Sequence, residues 1–142
     1  MKLTLGRRRR AFTLIEMLVV VLILAILAAL IVPRVINRTS DAKSAKAKAD
    51  IATLGSLLQQ YRLDNDKYPS SEQGLMALRA QPGDAPNWKG PYSSKDIPAD
   101  PWQNEYLYES PGPDGQDYMI VSYGADGAPG GEGDAMDLTS EN

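Results

Sequence analysis

The stretch FTLIEMLVVVLILAILAALIV, Phe12 to Val32, is rich in Leu, Ile, Val and Ala and uncharged except for one carboxylate, Glu16. About twenty apolar residues are enough to span a bilayer as a helix. No other feature of this 142-residue chain constrains its organisation as strongly. What remains is enough for one small domain, so the run is an appendage to that domain. A carboxylate inside such a segment costs about 3 kcal/mol on insertion scales and normally has a partner. No Lys, Arg or His lies within a helical turn or two beyond Glu16. The cation must therefore come from the arginines upstream, or from another chain. In the second case Glu16 is an assembly device.

The flanks orient the run. Lys2 and Arg7 to Arg10 precede it with no acid among them, and no Lys or Arg follows Lys95, whereas acidic residues continue to Glu141. A net charge of −3 conceals this asymmetry. Positive flanks stay cytoplasmic, so the acidic end is the exported one. A nucleic-acid-binding arm would not lead straight into lipid-like sequence, and no nucleic-acid partner is expected. A removable signal peptide is disfavoured because the run is long and ends in Ile31-Val32-Pro33-Arg34, a poor cleavage site. Arg9-Arg10-Ala11-Phe12 brushes a twin-arginine signal, but four consecutive arginines make that match cheap.

Cysteine and histidine are both absent. Disulfides, thiolate catalysis and Cys/His zinc sites are thereby excluded. Enzyme readings would rest on carboxylates or Ser-Lys pairs. Asp64 and Asp66 read as turn residues, and Gly130-Gly131-Glu132-Gly133 lacks the strand-loop-helix context of a phosphate loop. The chain reads as a non-enzyme.

Ala11-Phe12-Thr13-Leu14-Ile15-Glu16-Met17 resembles the processing signal of type IV pilins and pseudopilins. The resemblance implies that a basic leader, residues 1–11, is cut between Ala11 and Phe12 by a prepilin peptidase, which also methylates the new Phe12 amine. Glu16 then pairs with that amine on its own or a neighbouring subunit. Ala11 stands where the family has Gly. Further along, Tyr61-Arg62-Leu63-Asp64-Asn65, Tyr68-Pro69-Ser70, Gln73-Gly74-Leu75, Asn87-Trp88, Asp100-Pro101-Trp102 and Gly124-Ala125-Asp126-Gly127 resemble the major pseudopilins of type II secretion systems, the general secretion pathway protein G family. Gln103 departs from that pattern, where Gly is favoured, and Thr139 to Asn142 replace a Gly-Asn-Trp ending.

That family implies a structural subunit in the inner membrane of a Gram-negative cell, N-terminus cytoplasmic and C-terminal domain periplasmic. It polymerises with itself and with minor pseudopilins into a periplasmic pseudopilus. An inner-membrane assembly platform builds the filament, which drives folded proteins through an outer-membrane secretin. The alternatives are a type IV or minor pilin for adhesion or DNA uptake, and a membrane-anchored periplasmic binding module.

The expected fold is α+β. Residues 12–33 form the transmembrane, filament-core part of a helix that Pro33 kinks. Residues 34–63 form its amphipathic part, with Ile51, Leu54, Leu58 and Tyr61 on one face and Lys43, Lys46 and Lys48 on the polar side. Residues 64–142 hold a short helix over Glu72 to Arg79, strands over Glu105 to Glu109 and Asp117 to Tyr123, a hairpin loop at Pro111 to Gly115, and an irregular stretch from Gly124. In that last stretch Asp126, Asp134 and Asp137 surround a Gly-rich turn. Composition alone favours a solvated acidic tail, although oxygen donors without nitrogen or sulfur also suit a hard cation. The family resemblance implies Ca²⁺, with Asp126 and Asp137 as side-chain ligands, the Tyr123 carbonyl alongside them, and Asp134 as a further candidate.

Overall fold

The computed structural model of the chain describes residues 12–140, and for residues 30–38 it describes the helical backbone alone. Helix α1 is Leu14–Asn65. The chain divides into two compact units, Met1–Arg38 and Thr39–Asn142. In the first unit every described side chain, Phe12 to Ala29, is exposed. The kink expected at Pro33 and the Ala11 side of the cut lie outside the described residues.

The second unit carries the core. Ala47, Ile51, Leu54, Leu58 and Tyr61 are buried at three- and four-residue steps, the stripe that the periodicity predicts. Lys43, Lys46 and Lys48 are exposed. Beyond Asn65 the chain leaves the helix through Asp66, whose φ of 59° is left-handed. The amide of Asn65 donates to the Tyr61 carbonyl at 2.9 Å.

The buried stripe packs on a three-stranded antiparallel sheet ordered β1-β2-β3. The strands are β1 Leu107–Glu109, β2 Met119–Ser122 and β3 Leu138–Thr139. Tyr108 is opposite Ile120, and Ser122 is opposite Leu138. The first two strands fall within the expected spans, and the third does not: Leu138–Thr139 lie in the stretch expected to be irregular. Two residues are too few to show a period-two pattern, so β3 forms because β2 offers its free edge. The Ser140 N–H closes it on the Ile120 carbonyl at 2.8 Å. The short helix expected over Glu72 to Arg79 is a 3-10 turn, Gly74–Leu78.

Tyrosine does in this core what phenylalanine would do elsewhere, and each hydroxyl then needs a partner. Tyr108 stacks at 6.2 Å on Tyr118 and donates to the Pro69 carbonyl at 2.8 Å. Burial pushes its hydroxyl up to about 12. Tyr106 donates to Asp50 on α1 at 3.1 Å, tying sheet to helix. Burial first, and then the adjacent Asp50 carboxylate, raise its pKa. Asp64 accepts from Lys89 at 2.8 Å and from Tyr92 at 2.9 Å. Those two bonds, that of Lys89 above all, hold Asp64 below the usual carboxylate range.

Asp100 to Asn104 form a closed loop, with the Asp100 N–H on the Asn104 carbonyl at 2.8 Å and the Gln103 N–H on the Asp100 carbonyl at 2.9 Å. The closure forces Gln103 to a φ of 74°. This explains in physical terms why glycine suits the position: an L-residue in the left-handed region costs about 1–2 kcal/mol. Gln103→Gly should raise the stability of the domain by about 0.5–1 kcal/mol, once the extra freedom of glycine in the unfolded chain is deducted. Thermal melting of both chains in one detergent checks this, and an unchanged or lower midpoint would contradict it.

Candidate functional site

Two places carry the residues that the sequence singles out. The first is the start of α1. Thr13 is the residue before the helix, and its hydroxyl accepts the Glu16 N–H at 3.2 Å. The Glu16 carboxylate reaches back to the Thr13 N–H at 3.5 Å, and the Met17 N–H bonds to the Thr13 carbonyl at 3.2 Å. This is a reciprocal capping box, which satisfies two of the amides that a helix N-terminus leaves open. It also places a carboxylate at the positive end of the helix dipole. Glu16 therefore has a partner on its own chain. The spacing Thr-x-x-Glu before an apolar run is the sequence mark of such a box, and Thr13 is the functional residue that the sequence reading overlooks.

The box aims Glu16 at the peptide joining Phe12 to Thr13. Cleavage before Phe12 would turn its nitrogen into an amine one residue before the N–H that this carboxylate accepts. Around this polar end the helix is apolar on all sides: Phe12 is 71% exposed, Leu14 85% and Ile15 70%. A helix that is apolar all round needs lipid or protein against every face. Among the described residues no helix is long and apolar enough to cross a membrane. The described side chains of the run stop at Ala29, whereas its apolar sequence continues to Val32.

The second place is the loop from Tyr123 to Asp137, closed at its base by the pairing of β2 with β3. Two 3-10 turns, Gly124–Asp126 and Gly133–Ala135, lie against each other. Glycine is obligatory where they touch: a Cβ on Gly124, whose φ is +65°, would sit 2.5 Å from the Asp134 carbonyl oxygen. One Asp137 oxygen accepts the Gly130 N–H at 2.9 Å, so this side chain folds back across the Gly-rich turn as the spacing suggests. Its other oxygen is buried with no hydrogen-bond partner. Asp126 is exposed, and one of its oxygens accepts the Ala128 N–H at 3.2 Å. Asp134 is bonded by the Ser40 hydroxyl of α1. Among the described residues no three acidic side chains converge as a metal cluster. A cation here would rest on two carboxylates and backbone carbonyls. Asp137, with an orphaned buried oxygen, fits that role best.

A helix whose apolar stripe lies on a small antiparallel sheet, preceded by apolar helical turns that no core covers, defines a structural subunit built to pack against others. Residues 34–141 match the family model described as type II secretion system (T2SS), protein G, and residues 6–32 match a prokaryotic N-terminal methylation motif. The chain belongs to the T2SS protein G family, whose members are structural pseudopilins and not enzymes. It is 46% identical over 135 residues to the type II secretion system core protein G of Pseudomonas aeruginosa, covering 93% of this chain and 94% of that one. Against the protein of the same name from Vibrio cholerae, identity is 41% over 138 residues, covering 96% and 94%. The crystal structure of the major pseudopilin from the type 2 secretion system of enterohaemorrhagic Escherichia coli superposes with a TM-score of 0.63. Identity to it is 35%, covering 73% of this chain and 90% of that one. The fold is therefore the pilin-like fold of that pseudopilin.

The capping box makes a local prediction. Thr13→Ala removes the hydroxyl that holds the Glu16 amide, at a cost of about 1 kcal/mol to the first turn. Hydrogen exchange at the Glu16 and Met17 amides in detergent should speed up about fivefold, with exchange in β2 unchanged. Equal rates in the two chains would show that the box contributes nothing.

Proposed function

We propose that this chain is the major structural subunit of a type II secretion pseudopilus, anchored in the inner membrane through residues 12–33 before it polymerises into a periplasmic filament. One observation carries the reading: an apolar, exposed helix start whose single carboxylate, Glu16, is turned back to the Phe12–Thr13 peptide. Before assembly the capping box supplies Glu16 with a local donor, which lowers the cost of holding an acid at membrane depth. A prepilin peptidase frees the Phe12 amine and methylates it. Glu16 can then exchange a weak amide contact for a charge-assisted one, on its own or a neighbouring subunit. The apolar faces of successive helices replace lipid around one another in the filament core. Minor pseudopilins, an inner-membrane assembly platform and an outer-membrane secretin are the partners this role requires.

In this reading the loop at the far end binds one Ca²⁺. Asp126 and Asp137 are its side-chain ligands, and the Tyr123 carbonyl is a backbone ligand. The orphaned Asp137 oxygen and the small side chains of the loop support it, since Ala125, Ala128, Pro129 and Ala135 bury little that would order it otherwise. Asp134, engaged by Ser40, is the less suited of the three acids.

Parent and Glu16→Ala chains should both insert and both begin at Phe12 by N-terminal mass spectrometry. Only the parent should give filaments in good yield. A start at Met1, or beyond Val32, would sink the pseudopilin reading. Normal filament yield from Glu16→Ala would remove the pairing role alone.

Calcium binds folded but not unfolded protein, so a hundredfold excess over Kd stabilises by about 2.7 kcal/mol. The full chain in detergent should melt higher in calcium than in chelator, and Asp137→Ala should abolish the difference. Coincident melting curves for the parent would mean that the loop is a solvated acidic tail.

A further inference from the structure

Asp100 is a buried carboxylate, 1% exposed, and neither of the places described above uses it. Its charge is met by neutral donors. One oxygen accepts the Trp102 N–H at 2.9 Å and the Asn104 N–H at 2.8 Å, and the other accepts the Ser122 hydroxyl at 2.5 Å. Asn104, held through its backbone N–H, and Ser122, held through its hydroxyl, both turn their side chains to the same residue. The Asn104 amide donates to the Gly124 carbonyl at 2.7 Å. The Ser122 hydroxyl, its proton given to Asp100, accepts the Gly124 N–H at 3.3 Å.

This arrangement has a directional consequence. The Gly124 N–H belongs to the same planar trans peptide as the Tyr123 carbonyl, and the two point in opposite senses. Holding the N–H on Ser122 therefore aims the Tyr123 carbonyl away from the Ser122 hydroxyl. Holding the Gly124 carbonyl on Asn104 fixes the next peptide, from which Asp126 follows one residue later. The Asn104 side chain also lies over Gly127, where a Cβ would be 3.3 Å from its oxygen. Both peptides of Gly124, which lies between Tyr123 and Asp126, are thus held by Ser122 and Asn104, two residues that bond to one buried carboxylate some twenty residues earlier in the chain.

We infer that Asn104, with Ser122 and through Asp100, is a positioning residue for the calcium ligands Tyr123 and Asp126. The inference rests on the calcium reading above. Donors held in place before the ion arrives lower the ordering cost of binding it. A purely structural role would lower stability and leave the affinity of the folded protein alone.

The test uses the full chain in detergent, titrated with calcium chloride by isothermal calorimetry well below the melting temperature. Melting in chelator is measured alongside. Asn104→Asp keeps the size of the side chain and removes its amide donor, and Ser122→Ala frees the Gly124 N–H. Each should weaken calcium binding about tenfold, the weight of one buried hydrogen bond. The two chains should remain folded in chelator. A Kd within twofold of the parent in both variants, whether or not their melting midpoints fall, would overturn the inference and leave the calcium reading standing. No binding by the parent itself would overturn both.

Discussion

Strands of three, four and two residues cannot make a stable sheet in water by themselves. The domain exists because Ala47, Ile51, Leu54, Leu58 and Tyr61 give those strands a face to pack against. Other elements are hung from this contact. Tyr106 bonds to Asp50 on the helix, Trp88 donates to the Ala77 carbonyl at 2.9 Å, and Lys89 and Tyr92 converge on Asp64 near the helix end. No cysteine is available to staple the loops, so buried hydroxyls, amides and carboxylates take that role. Each such bond is worth about 1 kcal/mol net, and it costs more than that if its partner is removed and the group left buried.

How much of this the sequence discloses depends on how local the cause is. The helical stripe is legible because its spacing repeats over four turns. So is the β1-β2 hairpin, where Tyr106 and Tyr108 stand two residues apart between Glu105 and Glu109, just before the turn residues Pro111 to Gly115. The third strand is not legible, since its two residues acquire their state only by pairing with β2. Asp134 reads as a loop acid like its neighbours, yet its partner Ser40 lies 94 positions away. The Asp100 cluster escapes for the same reason: Asp100, Asn104 and Ser122 each look like an ordinary turn or strand residue until the fold brings them to Gly124. Thr13 is the opposite case. Its pairing with Glu16 spans three residues and is written in the sequence, but the acid in an apolar run draws attention away from the hydroxyl that caps it.

The family resemblance explains what local pattern cannot, and the structure gives it a physical basis. Gln103 departs from the preferred glycine at a backbone angle that favours glycine. The segment Asp100 to Asn104 is a closed loop around a buried carboxylate. The C-terminal loop is richer in glycine than in large apolar side chains. Its close approaches at Gly124 and Gly131 leave little room to add any.

Three carboxylates show the governing logic of the molecule. Asp100, fully buried, carries three protein donors and needs nothing more. Glu16, set in an apolar helix, has one weak donor, the Thr13 N–H at 3.5 Å, which is sufficient to hold it in place and easily exchanged for a cation. Asp137 has one oxygen bonded and one buried without a partner. An unpaired buried oxygen of this kind costs several times what a bonded one contributes. In the function proposed for this chain, the acid that its own fold satisfies in full serves architecture, and the two that it satisfies in part serve assembly and ligand binding. An acid that the fold satisfies in full is committed to the fold, and one that it satisfies in part is open to a partner from outside.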